Sequence, residues 1–252
     1  MHPAQIGTRF EEHRGPFFPV STPRQIRVVV MLGRLAKNLA WKRHAAICMA
    51  FDAFHGVNTI AGAPAIDISV TSPNRDEGIP YDASPWTTLR RCLVLANLDP
   101  HGFLFVDIGC GKGKVVLSAM EMPFQRIIGV DFSPTLCEVA KTNIKSARFV
   151  KRRCSSVEIV CSDATEWEPP PNEKTIFFFA NPFNIKLTEA VMRNIIVFNR
   201  RNPLPIFFIF YRMSSSVRRI DDIFNAEYDR AARKIVSTKL SRDASLNIWQ
   251  VL

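Results

Sequence analysis

No stretch of this 252-residue chain stays apolar for the ~18 residues that a membrane-spanning helix needs. The N-terminus carries Glu11-Glu12 and no continuous apolar region, so a secretory leader is not expected. The six cysteines, at 48, 92, 110, 137, 154 and 161, form no C-x-x-C pair, and no histidine stands near them at zinc spacing. They are read as reduced, mostly buried thiols of a cytoplasmic protein, and no metal site is expected. The five histidines, at 2, 13, 44, 55 and 101, all fall outside the ends of the expected strands. No Ser–His–Asp or Cys–His pairing is therefore available for nucleophilic catalysis. No Gly-Lys pair is followed by Ser or Thr, which excludes a P-loop. Beyond Pro169-Pro170-Pro171 there is no low-complexity tract, and there is no internal repeat.

What is present is an ordinary globular composition, 47% hydrophobic and 22% charged, with a net charge of +10. The basic excess is spread over Arg14, Arg24, Arg27, Arg34, Lys37, Lys42 and Arg43, then Lys151-Arg152-Arg153, then Arg218-Arg219. A generally basic enzyme accounts for it, and so would an anionic partner. Residues 1–23, rich in Pro and Gly, read as an irregular lead. Residues 24–79 form a helical extension. From Gln25 to about Phe54, Val28, Leu32, Leu35, Leu39, Ala46 and Met49 recur near helical spacing with cations between them. That helix either packs on the main domain or lies on a membrane. A short strand is expected over Ala65–Val70.

From residue 80 to 252, strands and helices alternate. Ser84-Pro85 reads as a helix start running to about Asn97. Strands are expected at Phe103–Ile108, Arg126–Asp131, Val157–Cys161, Thr175–Ala180 and Pro205–Tyr211, with helices at Lys114–Glu121, Ser133–Arg148, Lys186–Asn199 and about Ser215–Phe224. Lys234–Leu240 and Leu246–Leu252 close the chain as an antiparallel pair. The alternation predicts an α/β, doubly wound, mostly parallel sheet with helices on both faces.

The first of these strands runs into Asp107-Ile108-Gly109-Cys110-Gly111-Lys112-Gly113, a turn with glycine at every second position before a helix. Glycine removes the Cβ that would block close approach to the backbone. The spacing begins like the dinucleotide fingerprint G-x-G-x-x-G, but Lys114 occupies the third glycine position and an acid stands at the mouth. A carboxylate there suits a ligand carrying an ammonium group better than a phosphate. This D-x-G-x-G-x-G turn resembles motif I of class I S-adenosylmethionine-dependent methyltransferases. That likeness implies a seven-stranded fold over residues 80–252, with S-adenosyl-L-methionine as cofactor and a methyl group transferred to an acceptor.

In open α/β sheets ligands bind outside the carboxyl ends of the strands. Four of those ends carry a carboxylate or an amide: Asp107, Asp131, Asp163 and Asn181. An acid ending the second strand can accept both hydroxyls of a ribose, so Asp131 is the ribose candidate; capping the next helix is its competing role. Phe132 offers an apolar wall for a flat ring. The family resemblance implies adenine contacts at Asp163 and Ala164, and methionine-end contacts at Asp107 with the backbone of Gly109 and Gly111. Cys110, in the same loop, either touches a ligand or fills space, and Gly113 completes the turn.

Asn181-Pro182-Phe183 is similar to the (Asn/Asp/Ser)-Pro-Pro-(Tyr/Phe) corner of N-methyltransferases, with one proline instead of two. In that family the side-chain oxygen and the next carbonyl accept hydrogen bonds from a target nitrogen, and the ring packs on the same group. The competing role for Asn181 is a helix cap. Tyr81-x-x-Ser84-Pro85 resembles a segment of the disruptor-of-telomeric-silencing type of lysine methyltransferase that closes over the methionine end, with Ala83 replacing a proline. The resemblance implies roles there for Tyr81 and Ser84. The acceptor, whether protein lysine or another amine, a small molecule or RNA, is not readable. A nicotinamide oxidoreductase is disfavoured by Lys114 and Asp107. A non-catalytic module that docks on a membrane or partner through its basic N-terminal helix is the remaining alternative.

Overall fold

The computed structural model describes residues 45–60, 70–79, 81–148, 150–213, 216–228, 231–241 and 244–251. The irregular lead 1–23, the helical pattern over 25–44 and most of the strand expected at 65–70 lie outside the described residues. Ala46–Leu252 form one compact unit, so the described part of the expected extension belongs to the same body as the sheet.

Helix α1 covers residues 45–55. The alternation follows as α2 (Thr88–Leu95), β1 (Leu104–Ile108), α3 (Lys114–Ala119), β2 (Arg126–Asp131), α4 (Pro134–Ser146), β3 (Val157–Cys161), β4 (Thr175–Phe179), α5 (Ile185–Arg201), β5 (Ile206–Tyr211), α6 (Val217–Tyr228), β6 (Ala232–Ser241) and β7 (Ala244–Val251). The seven strands form one sheet in the order β3-β2-β1-β4-β5-β7-β6. β1 to β5 are parallel, and β7 runs antiparallel to both β5 and β6.

Burial follows position in the sheet. β1, β4 and β5, in the middle, are buried at every residue and read as unbroken apolar runs such as Thr-Ile-Phe-Phe-Phe. β3, at one edge, has no fully buried residue. The interior strands present alternate residues to two cores. Phe105, Phe178, Ile209 and Ile248 face the core covered by α2 and α3. Val106, Phe177, Phe208 and Trp249 face the core covered by α5 and α6. Helices thus lie on both faces, as the alternation implies.

Helix starts follow local chemistry at two places and depart from it at a third. Ser133 caps α4, its hydroxyl accepting from the Leu136 amide, with Pro134 in the first turn. Asn184 caps α5 by accepting from the Leu187 amide at 3.0 Å. Asn181 does not cap that helix. Ser84 does not cap one either: α2 begins four residues later, at Thr88, after a turn in which the Thr88 amide reaches the Pro85 carbonyl. Ser84 is buried and lines the open end of the sheet.

Candidate functional site

The order β3-β2-β1-β4 sets four carboxyl ends side by side, and the direction of winding reverses between β1 and β4. This is where an open α/β sheet leaves a crevice. A cleft of about 880 Å³, its open mouth included, lies there. Tyr81, Ser84, Asp107, Gly109, Cys110, Gly111, Asp131, Phe132, Asp163, Ala164, Asn181, Pro182 and Phe183 all line it. Gly113 does not; it precedes α3 and packs against α4, where a Cβ would stand 3.2 Å from that of Ala140.

The β1–β2 side holds two buried acids. Asp131 accepts the Gly111 amide on one oxygen at 2.8 Å and the Ser133 amide on the other at 3.0 Å. It therefore ties the glycine loop to the start of α4. Asp107 is 2% exposed, and among the described residues no hydrogen bond to its carboxylate is seen. Burial, reinforced by the charge of Asp131, pushes its carboxyl up to about 8. A buried acid without a donor, lining a cleft, fits a cationic ligand group.

The glycines serve a close approach, but the approaching atoms belong to the protein. A Cβ on Gly111, which has φ +54°, would lie 2.2 Å from the Tyr81 ring. One on Gly109, φ +73°, would lie 2.3 Å from Pro182. The loop is bare so that the Tyr81 ring and the Asn181 corner can pack down on it and narrow the cleft. The Tyr81 hydroxyl donates to the Thr59 carbonyl at 2.6 Å. Burial first, then Asp52, raise the pKa of that hydroxyl well above its usual value, so it stays a donor. Behind the loop, residues 48–60 engage two buried lysines. Lys114 donates to the Cys48 sulfur at 3.3 Å over the Phe51 ring, and Lys112 donates to the Asn58 side chain at 3.1 Å. The ring of His55 stacks near Trp86 and its Nδ1 lies 2.7 Å from the Arg148 carbonyl oxygen, placing it outside the cleft. Cys110 is buried in the loop, and burial raises its thiol pKa well above the usual range.

The β3–β4 side is organised by a strap that sequence reading missed. Over residues 72–79 the chain crosses the cleft mouth. The Ser72 hydroxyl and the Asn74 amide group both donate to one oxygen of Asp163; the Thr165 amide and hydroxyl occupy the other. Burial alone would raise the Asp163 pKa, but these hydrogen bonds outweigh it and hold the carboxyl below its ordinary value. Further along, Gly78 bridges to Phe183, and the Ile79 amide donates to the Pro182 carbonyl at 3.1 Å. The Asn184 amide donates to the Glu77 carbonyl. The strap thus contacts the ends of both strands. Asn74, Gly78, Ile79 and Asp82 line the cleft. Ser72-Pro73-Asn74 reads locally as a turn, and nothing local announces partners some 90 residues away.

Asp163 thus accepts four hydrogen bonds on its two oxygens and anchors the strap. The Pro182 carbonyl is shared with Ile79. Asn181 has φ +57°, a left-handed conformation tolerated by Asn, and it lines the cleft.

Residues 105–197 match the family model described as a methyltransferase domain. Over 69 residues, 27% of this chain and 24% of the relative, the sequence is 33% identical to the ribosomal protein L11 methyltransferase of Tolumonas auensis. It is 32% identical over 71 residues, 28% and 24% of the two chains, to that of Alteromonas mediterranea. The chain spans about a quarter of the length of the curated relatives it matches. Among solved structures, the magnesium protoporphyrin IX methyltransferase of Synechocystis aligns with TM-score 0.47 and 14% identity, over 66% of this chain and 77% of that one. A Streptococcus mutans chain described as a putative methyltransferase aligns with TM-score 0.49 and 9% identity, over 68% and 100%.

Proposed function

We propose, from the match of residues 105–197 to a methyltransferase-domain model, that the chain transfers a methyl group from S-adenosyl-L-methionine to a nitrogen, on a protein lysine or another amine. The observation that carries this is the pair Asp107 and Asp131, buried together at the switch point of the sheet, the first without a donor among the described residues and the second holding the Gly111 amide. These groups fit the cofactor: Asp107 would hold its ammonium, Asp131 would accept from its ribose, and Phe132 would wall its ring. When bound, the cofactor supplies an activated sulfonium methyl group, so the chain's own task is alignment. Asn181 is the residue placed to accept a hydrogen bond from the incoming amine, with Pro182 giving its second lone pair and Phe183 backing the corner. A protein acceptor is in keeping with the named substrate of the L11 relatives. No disulfide joins the six cysteines, in keeping with a cytoplasmic setting.

Calorimetric titration with S-adenosylmethionine, S-adenosylhomocysteine and NADH tests the reading. Micromolar binding of the two adenosyl compounds and none of NADH is expected. A labelled-methyl screen of proteins, RNA and small amines then identifies the acceptor. Asn181→Ala should retain cofactor affinity and lose turnover by about tenfold or more, the size of one lost hydrogen bond to a charged or developing-charge group. Failure of both adenosyl compounds to bind would overturn the reading and favour the non-catalytic docking alternative.

A further inference from the structure

Helix α1 turns Cys48 and Asp52 inward, to Lys114 and to the Thr59 and Ile60 amides. Its outward face is entirely apolar. Ile47 is 59% exposed, Met49 64% and Phe54 60%, and Ala46, Ala50 and Ala53 are exposed between them. Of the seven large exposed apolar side chains among the described residues, these three fall within eight consecutive positions. Scattered exposed apolar residues need no explanation, but a contiguous helical face does.

Two stretches of the sequence are basic and free of acids. Residues 13–51 contain no acid and seven Lys or Arg. Residues 139–157 also contain no acid, and Lys145, Arg148, Lys151, Arg152 and Arg153 in that run are exposed. None of these five forms an ion pair among the described residues. The second cluster abuts the C-terminal end of α1. The Arg148 amide donates to the His55 carbonyl at 2.8 Å, and the Ser146 hydroxyl to that of Gly56 at 3.2 Å.

We propose that the outward face of α1, with the basic cluster Lys145–Arg153 beside it, is a docking surface for an anionic lipid bilayer. Aliphatic and aromatic side chains entering the headgroup boundary, with lysines and arginines beside them, are what such a surface engages. The same cations rule against a second copy as occupant, because pairing would bring two basic faces of a +10 protein together. They also do not make this a nucleic-acid groove, since Ile47 and Met49 have no use against a phosphate backbone. Among the described residues no helix is long and apolar enough to cross a membrane. This docking does not depend on the methyl-transfer reading.

Co-sedimentation of the full-length protein with phosphatidylcholine vesicles, with and without phosphatidylglycerol, tests it. Partition onto the anionic vesicles should exceed that onto neutral ones by about tenfold or more, and salt should weaken it. Ile47→Ser with Met49→Ser should lower partition about tenfold at unchanged melting temperature, as loss of buried apolar groups requires. Arg152→Glu with Arg153→Glu should abolish the preference for anionic vesicles. Absence of vesicle binding would overturn the proposal. So would equal partition onto both vesicle types, indifference to both variant pairs, a dimer disrupted by the Ile47 and Met49 changes, or RNA retention without vesicle binding.

Discussion

Asp107 and Asp163 are the same residue type at comparable places, each buried at the carboxyl end of a strand and each lining one cleft. Their chemistry is opposite. Asp107 accepts no hydrogen bond from a described residue, and burial with Asp131 nearby pushes it up to about 8. Asp163 accepts four hydrogen bonds, which overcome its burial and hold it below the ordinary value. The difference comes from what lies across from each. The β1–β2 side faces open cleft, whereas the β3–β4 side faces the strap over residues 72–79. Asp163 is engaged by its own chain on both oxygens, whereas Asp107 faces the cleft with no donor among the described residues.

The largest effect is expected on the β1–β2 side. Asp131→Ala removes acceptors for two loop amides and for the proposed ribose contact. Two hydrogen bonds to a charged group at about 1.5–3 kcal/mol each correspond to about a hundredfold or more in cofactor affinity. Calorimetry on the folded variant checks this, and equal affinity in wild type and variant would remove Asp131 from the binding site.

The second effect is a pH dependence belonging to Asp107. Its folded pKa, about 8, lies above the unfolded value of about 3.9. The stability it contributes is thus fully present below about pH 4 and is lost as pH rises through about 8. Cofactor binding runs the other way, because an ammonium partner needs the carboxylate ionised. Affinity should rise with pH, by up to about tenfold per unit between pH 5.5 and 7.5, until the α-ammonium of the ligand itself begins to ionise near 7.7–8.0. Each binding event should release up to one proton, measurable in buffers of different ionisation enthalpy. Asp107→Asn should flatten the profile; an unchanged slope in that variant would mean that another group titrates.

The fold was legible because its signals are local. β3 coincides with its predicted span, and Ser133-Pro134 starts α4 where cap chemistry places it. Composition also marked the chemistry-bearing ends of the strands. It did not reveal whether a given oxygen was already engaged, since the donors on Asp163 come from Ser72 and Asn74, far away in sequence. The glycine loop shows the same limit. Its need for close approach was readable, but that Tyr81 and Pro182 make the approach was not. Ser84-Pro85 carries a cap signature in a place where tertiary burial overrides it.

Asp163→Asn should have a smaller effect on the cofactor. The amide keeps one acceptor oxygen and turns a donor toward hydroxyl and amide donors, leaving the strap partly unsatisfied at a cost of about 1–3 kcal/mol. The melting temperature should fall, and cofactor affinity should drop only a few-fold as the strap loosens. A loss as large as that of Asp131→Ala would show that Asp163 contacts the ligand and that Ser72 and Asn74 give way when it binds.

The smallest effect on binding belongs to Gly113. It shares positive φ with Gly109 and Gly111, at +78°, but the added Cβ would meet the Cβ of Ala140 on α4 at 3.2 Å and would not reach the cleft. Gly113→Ala should therefore cost about 1–2 kcal/mol for the left-handed conformation, seen as a lowered melting temperature, and leave cofactor affinity within about twofold. Gly111→Ala, whose Cβ would strike the Tyr81 ring, should impair binding itself. If both variants weaken binding equally, the loop acts as a single cradle; if they separate, only the part under Tyr81 and Pro182 shapes the site, and the last glycine serves the packing of α3 on α4.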